Sequence, residues 1–314
     1  MDKKAKRQKA KYINPSTDFG FKLIFGTEAN KDLLINFLNS VLEIDGEIVD
    51  LRYDNPERQG RIEIDRRAIF DLYCITSKGE HIIVEMQNVR HDYFKDRALY
   101  YATFPIQEQG EKGKEWDFQL KPVYSVNILN FSFDKKSKKN KQYLYYVQLI
   151  DKISNSLFYN KAHFVFLVLP NFTKKMHELE TIFDKWMFVL KNIAKLQELP
   201  DGLRNKIFEK LFRIAEIAKM SPKELKEYNQ SLKEFRDMYL MENALKKKDT
   251  KIQEMDAVIQ GMNSKIQEKE LELKKKDENV VRILLEAGIS TEKIAKSTGT
   301  SISEINNLKR IYLD

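Results

Sequence analysis

The chain has 314 residues, of which 42% are hydrophobic and 32% charged, a formal net charge of +8 and a single cysteine. That length is ample for one or two buried cores, and no apolar run approaches the ~20 residues that a membrane-spanning helix needs. Cys74 has no partner for an internal disulfide, which points to core packing in a reducing, cytoplasmic compartment.

The positive charge is concentrated. Residues 1–12 carry six Lys/Arg against Asp2, and residues 134–141 carry five lysines, among them Lys135, Lys136, Lys138 and Lys139, against one Asp. The remainder of the chain sums to −1. Two basic patches on a near-neutral body suit a phosphate backbone, to which lysine gives salt-dependent, sequence-blind affinity. A solvated tail and a solvated loop are the plain alternative. The lysine-rich start lacks an apolar h-region and does not read as a secretory signal.

Residues 14–17 read as a turn in which Ser16 or Thr17 caps a helix. Phe21, Ile24, Leu33, Leu34, Phe37, Leu38 and Leu42 then recur at helical spacing, broken at Gly26-Thr27. Asp18 opens this helix, where the dipole favours a carboxylate and where it could also serve a site. A strand is predicted over 47–53. Residues 61–88 follow as two β-branched, apolar runs around Ser77-Lys78-Gly79, which predicts a hairpin whose loop closes on a left-handed glycine.

If Thr76 and Glu80 flank that loop, Asp71 falls opposite Glu85, with Cβ atoms roughly 5 Å apart. Gln87 shares their face, while Ile82, Val84 and Met86 point into an apolar layer and Cys74 points away from Asp71. Facing carboxylates repel, and a hard divalent cation, Mg²⁺ or Mn²⁺, would reconcile them, activate water and neutralise a phosphate. A solvent-facing pair with no function is the alternative. The four histidines, His81, His91, His163 and His177, show no paired metal-ligand spacing.

A helix is predicted over 92–107, stopping near Pro105. It places Arg97 and Tyr101 one turn apart on one face, to steady a phosphate or simply to pack. Strand-like runs follow at 123–129, 143–150 and 162–169.

Asp71 followed by a strand bearing Glu85-Met86-Gln87 resembles the core of the PD-(D/E)XK nuclease superfamily. It is closer to the Rpn (recombination-promoting nuclease, transposase-type) family, in which E-x-Q often replaces E-x-K. The likeness takes in 17–26 (TDFGFKLIFG), Phe37-Leu38-Asn39, Arg97, Tyr100-Tyr101 and 122–131, covering roughly residues 13–190. It implies an α/β, restriction-endonuclease-like fold with a mixed sheet flanked by helices. It also implies metal-dependent cleavage of DNA phosphodiesters, with Asp71 and Glu85 holding the metal, Gln87 beside them, and Asp18, Arg97 and Tyr101 as accessories. Gln87 stands where most of the wider superfamily has lysine, and a neutral amide orients water without offering a positive charge.

From residue 174 the composition turns helical. Amphipathic helices are predicted over 176–197 and 203–219, and Ser221-Pro222-Lys223-Glu224 opens a third. Leu245, Ile252, Ile259, Ile266, Leu273 and Val280 fall seven apart. The other seam position holds Lys248, Met255, Met262, Lys269 and Lys276. This half-apolar heptad predicts a weak parallel two-stranded coiled coil and a homodimer; a solvated single helix is the alternative.

Residues 280–310 resemble a helix-turn-helix, with Leu284, Leu285, Ile289, Ile294, Ala295, Ile302, Ile305 and Leu308 inward. Ser303, Asn306, Asn307, Lys309 and Arg310 face outward toward bases or phosphates, or the unit serves for packing.

The expected layout is a basic tail (1–12), a nuclease-like domain (13–172), a helical subdomain (173–240), a coiled-coil helix (241–279) and a helix-turn-helix-like unit (280–314). Taken together, these readings make a Mg²⁺-dependent DNA endonuclease of the transposase type, nucleoid-associated in a bacterial-type cytoplasm. An inactive DNA-binding or regulatory protein on the same scaffold is the alternative.

Overall fold

The computed structural model describes residues 9–54, 57–58, 68–90, 92–110, 117–132 and 142–312. Residues 1–8 of the basic tail, His91, and Lys135, Lys136, Lys138 and Lys139 lie outside the described residues.

Two helices open the body, α1 (Asp18–Phe25) and α2 (Lys31–Val41). Thr17 is the cap of α1: its hydroxyl accepts the Gly20 N–H at 3.1 Å and donates to the Asn14 carbonyl at 2.8 Å. Gly20 is tied to this turn by close approach, since a Cβ there would collide with the Asn14 carbonyl oxygen.

The strands are β1 (Leu51–Tyr53), β2 (Glu57–Arg58), β3 (Ala68–Ile69), β4 (Leu72–Thr76), β5 (His81–Gln87), β6 (Val123–Leu129), β7 (Leu144–Ile150) and β8 (Leu157–Val168). β2 and β3 pair with each other. The other six form one sheet in the order β1-β4-β5-β6-β8-β7. It is mixed: β5, β6 and β8 run parallel, while β1, β4 and β7 are antiparallel to their neighbours. Gly79, at φ +83°, closes the β4–β5 turn as a left-handed residue. β8 begins earlier than the predicted 162 because its first residues keep pairing with the far end of β7, Ile150 opposite Leu157.

Helix α3 (Phe94–Glu108) links β5 to β6 and covers one face of the sheet. The helix runs through Pro105 rather than stopping there. Proline's fixed φ is helical, and its missing N–H costs the last turn one i→i−4 hydrogen bond, to the Tyr101 carbonyl, without ending the helix. The opposite face carries the main core, in which Cys74, Ile82, Val84, Val126 and Leu167 pack against α1, α2, α4 (Ile182–Asn192) and α5 (Lys206–Ile214).

α4 starts at its capping box, where Thr181 Oγ1 accepts the Asp184 N–H at 3.0 Å and Asp184 Oδ2 accepts the Thr181 N–H at 3.3 Å. Asn205 caps α5 through the Phe208 N–H at 3.0 Å. These caps fix where both helices start, later than their apolar periodicity suggests. Trp186 sits fully buried among Phe25, Phe37 and Phe208, with ring centroids 5.5, 5.6 and 5.0 Å away, and donates to Asn36 Oδ1 at 2.8 Å. Trp186→Ala is expected to cost roughly 3–5 kcal/mol in denaturant unfolding, the usual cost of emptying such a site. A loss under about 1 kcal/mol would show that the neighbouring rings collapse into the space.

α6 (Pro222–Glu286) is one 65-residue helix, so the predicted third helix and the heptad helix are continuous. Its start is boxed by Ser221 and Glu224: Ser221 N–H and Oγ donate to Glu224 Oε2 at 2.8 and 2.7 Å. The chain divides inside α6 into two compact units, 1–242 and 243–314. In the second, the end of α6 packs with α7 (Thr291–Thr298) and α8 (Ile302–Tyr312) around Val281, Leu285, Ile294 and Ile305.

Gly288 and Gly299, at φ +75° and +76°, make the two left-handed turns of this unit. Ile289 and Ile302, expected inward, are 37% and 48% exposed. One lies in the turn past Gly288 and the other begins α8, and so small a unit does not cover them. No helix among the described residues is long and apolar enough to cross a membrane.

Candidate active site

The site is built where the β4–β5 hairpin outlasts one of its strands. The register pairs Leu72 with Val84 and Tyr73 with Ile83. One step further, Asp71 meets Glu85 just as β4 begins. At that point the β5 backbone has lost its ladder partner on the β4 side, and Asp71 supplies one: its Oδ2 accepts the Met86 N–H at 2.6 Å. In return the Asp71 N–H donates to Glu85 Oε1 at 3.2 Å. Each carboxylate thus has one oxygen anchored to the hairpin.

The second oxygen of Glu85 is held from above by α3. Arg97 Nη2 lies 3.1 Å from Glu85 Oε2, and its guanidinium sits 4.8 Å over the Tyr101 ring. Helical spacing explains the pair, since Arg97 and Tyr101 share a face directed at the sheet. Glu85 is only 2% exposed, while the Arg97 side chain is 42% exposed, so the guanidinium spans a buried acid and solvent. Burial first, and then the Asp71 charge, push the Glu85 carboxyl up to about 8 against the opposing pull of Arg97 and the Asp71 N–H. Asp71 is raised as well, chiefly by burial and then by Asp18, against the Met86 N–H, Lys22 and Arg97.

The face occupied by Glu85 is polar for two strands. Gln87 is buried and its Nε2 donates to Asn127 Oδ1 at 3.4 Å. Asn127, fully buried and paired with Glu85 in the β5–β6 register, donates through Nδ2 to Ser125 Oγ at 3.0 Å. Neither Asn127 nor Ser125 was singled out from the sequence. The signal was present: in VYSVNIL, an otherwise apolar strand, the two polar residues alternate onto one face.

Asp18 opens α1 and pairs with Lys22 at 2.9 Å on an exposed face. With Asp71, these two line a cleft of about 1070 Å³, walled by Tyr53 on one side and by residues 223–234 of α6 on the other. The first turn of α1 is tied to that wall, as Phe19 N–H donates to Ser231 Oγ at 3.1 Å and Asn14 N–H to Tyr228 Oη at 3.0 Å. Asp71, Glu85, Gln87, Arg97 and Tyr101 therefore come together, with Asp18 at the mouth.

Asn306, Asn307, Lys309 and Arg310 lie exposed on α8 in the second unit. Among the described residues no three Asp, Glu, His or Cys side chains gather as a metal-binding set. The hard-oxygen donors on hand are the Asp71–Glu85 pair. Two adjacent carboxylates of raised proton affinity, beside neutral amides, suit a hard divalent cation that completes its shell with water.

Residues 15–245 match the family model described as PD-(D/E)XK nuclease family transposase. No curated protein and no solved structure matches the chain.

Proposed function

The chain belongs to the PD-(D/E)XK nuclease family transposases, with the matched segment covering its sheet and flanking helices, and from that membership we propose that it is a Mg²⁺-dependent DNA endonuclease. The observation that carries this reading is the anchored pair, Asp71 and Glu85, meeting at the open end of the hairpin below Arg97. A divalent cation bound there supplies an activated water and positive charge for the phosphate.

Asp71 and Glu85 would hold that cation, each keeping one oxygen on the hairpin so that the other is aimed without loss of order. Gln87, fixed by Asn127, is positioned to orient water, and its neutrality leaves charge stabilisation to the cation and Arg97. Lys22 and Asp18 at the cleft mouth set the local field felt by Asp71. Lys135, Lys136, Lys138 and Lys139 would add phosphate contacts of the non-specific kind, as would the exposed Lys309 and Arg310, with Asn306 and Asn307 able to reach base edges. A reducing cytoplasm, next to the nucleoid, is the setting this reading implies.

The test is relaxation of supercoiled plasmid by the purified full chain with Mg²⁺, with Mn²⁺ and with EDTA. Nicking that appears with either metal and vanishes with EDTA is the expected result. Intact plasmid under all three conditions, at enzyme in excess over DNA, would overturn it.

A further inference from the structure

As the molecule stands, a cation approaching the second oxygen of Glu85 meets the Arg97 guanidinium already bound there. Glu85 Oε1 is taken by the Asp71 N–H at 3.2 Å and Oε2 by Arg97 Nη2 at 3.1 Å. We propose that Arg97 is an exchangeable counterion: it holds Glu85 in the metal-free protein and gives up Oε2 when a divalent cation arrives. This rests on the metal reading of the Asp71–Glu85 pair given above.

The physical need for such a group is plain. A carboxylate 2% exposed, with a second carboxylate across the hairpin, is costly without a positive partner. The cation would be that partner in the loaded state, and Arg97 fills the role before loading. Its side chain is built to leave. It is 42% exposed, it belongs to α3 rather than to the hairpin, and it already lies 4.8 Å over the Tyr101 ring, a support that does not depend on Glu85.

Arginine suits the task because it stays charged at all working pH values and is weakly hydrated. Once displaced, the guanidinium sits beside the cation with its donors free, where a DNA phosphate would meet it. Exchange of this kind also makes metal and Arg97 competitors for one oxygen. Their coupling is therefore unfavourable, and removing Arg97 strengthens metal binding. Charge alone gives part of this gain, since any cation beside the site repels a divalent ion. Arg97→Lys is the control, because it keeps the charge while holding Oε2 less well, and a guanidinium that only repels from a distance would leave Arg97→Lys at native affinity.

The experiment is calorimetric titration of MgCl₂ and MnCl₂ into the full chain without DNA, for the native protein, Arg97→Met, Arg97→Lys and Asp71→Asn. It is run at a pH of about 9, so that a proton on Glu85 does not take the guanidinium's place. Arg97→Met is expected to bind metal about tenfold more tightly than native, within the ordinary range for coupled sites. Arg97→Lys, a point charge that holds one oxygen less well, should fall between them, and it carries the test if Arg97→Met does not fold.

Asp71→Asn separates the two claims. If native binding is seen and Asp71→Asn abolishes it while Arg97→Lys binds no more tightly than native, the counterion role fails and the metal site stands, whatever charge removal does to Arg97→Met. If native protein binds no metal that Asp71→Asn removes, both fail.

Discussion

Asp71→Ala and Glu85→Gln are each expected to lower metal-dependent plasmid nicking by about a thousandfold or more, because each removes one of the two groups proposed to hold the cation. What separates this loss from simple misfolding is that Glu85→Gln should make the metal-free protein more stable. The Glu85 carboxyl is pushed up to about 8 in the folded chain from an ordinary value of 4.5. Below the lower value both states hold the proton, and between the two the unfolded chain has shed it while the folded chain retains it. The unfolded state then binds fewer protons, so stability falls as pH rises through the window, and the penalty is complete above the folded value.

Glutamine has no proton to lose and still accepts the Asp71 N–H. Its stability should fall less steeply than native across that window, Asp71 still titrating, and be higher than native at its upper end, by an amount on the order of a few kcal/mol before relaxation. Asp71→Ala gives a weaker gain, since relief of repulsion is set against a Met86 N–H left without its acceptor. Urea unfolding in EDTA at pH values near 5 and 8 measures all of this. Native and Glu85→Gln curves that move in parallel would mean that Glu85 titrates as an ordinary carboxylate, and undiminished nicking by either variant would remove the pair from the mechanism.

Much of the site was legible because β-structure has a strict period. Once Gly79 fixes the turn, the partner of every residue on the hairpin follows, and Asp71 must meet Glu85. The same arithmetic placed Cys74, Ile82, Val84 and Met86 in the main core. It does not reveal what a hydrogen bond does at the point where pairing stops. The Asp71 carboxylate caps the Met86 N–H, and that follows only from knowing where β4 begins.

Contacts between distant elements were also out of reach. The spacing of Arg97 and Tyr101 showed that they share a helix face, but not that the face lies over Glu85, which depends on how α3 crosses the sheet. Helix lengths from periodicity ran long, as at α4 and α5, because apolar spacing continues through turns whose ends are set by Thr181, Asp184 and Asn205. At α6 the opposite happened: nothing between residues 222 and 286 breaks the helix, so elements that composition had separated are one.

The long row on α6 leads to the other large effect. Leu245, Ile252, Ile259, Ile266, Leu273 and Val280 are between 47% and 58% exposed, one face of apolar side chains at heptad spacing. A lone helix gains nothing from that face, whereas two copies side by side bury it, at roughly 25 cal/mol for each Å² removed from water. The other seam position sets the strength. Lys248, Lys269 and Lys276 interrupt it on either side of Met255 and Met262, and Lys276 is turned outward to Glu272 of its own helix at 3.1 Å. Lysine stems can lie along the seam with their charges in water, so the interruptions weaken the pairing without forbidding it.

The expected native state is a parallel dimer at micromolar concentration, which gives one assembly two nuclease cores, one for each DNA strand. Ile259→Asp places a carboxylate on each copy at the middle of the seam, facing its twin, and should raise the dissociation constant by about a hundredfold. Sedimentation equilibrium reads the assembly directly, and linear product from plasmid reads paired cuts. The variant should sediment as a monomer and still nick, while linearising plasmid only through chance pairs of nicks. A native chain that stays monomeric at micromolar concentration with DNA present would leave the row a solvated spacer. Paired cutting by a monomeric Ile259→Asp chain would mean that one core reaches both strands in turn.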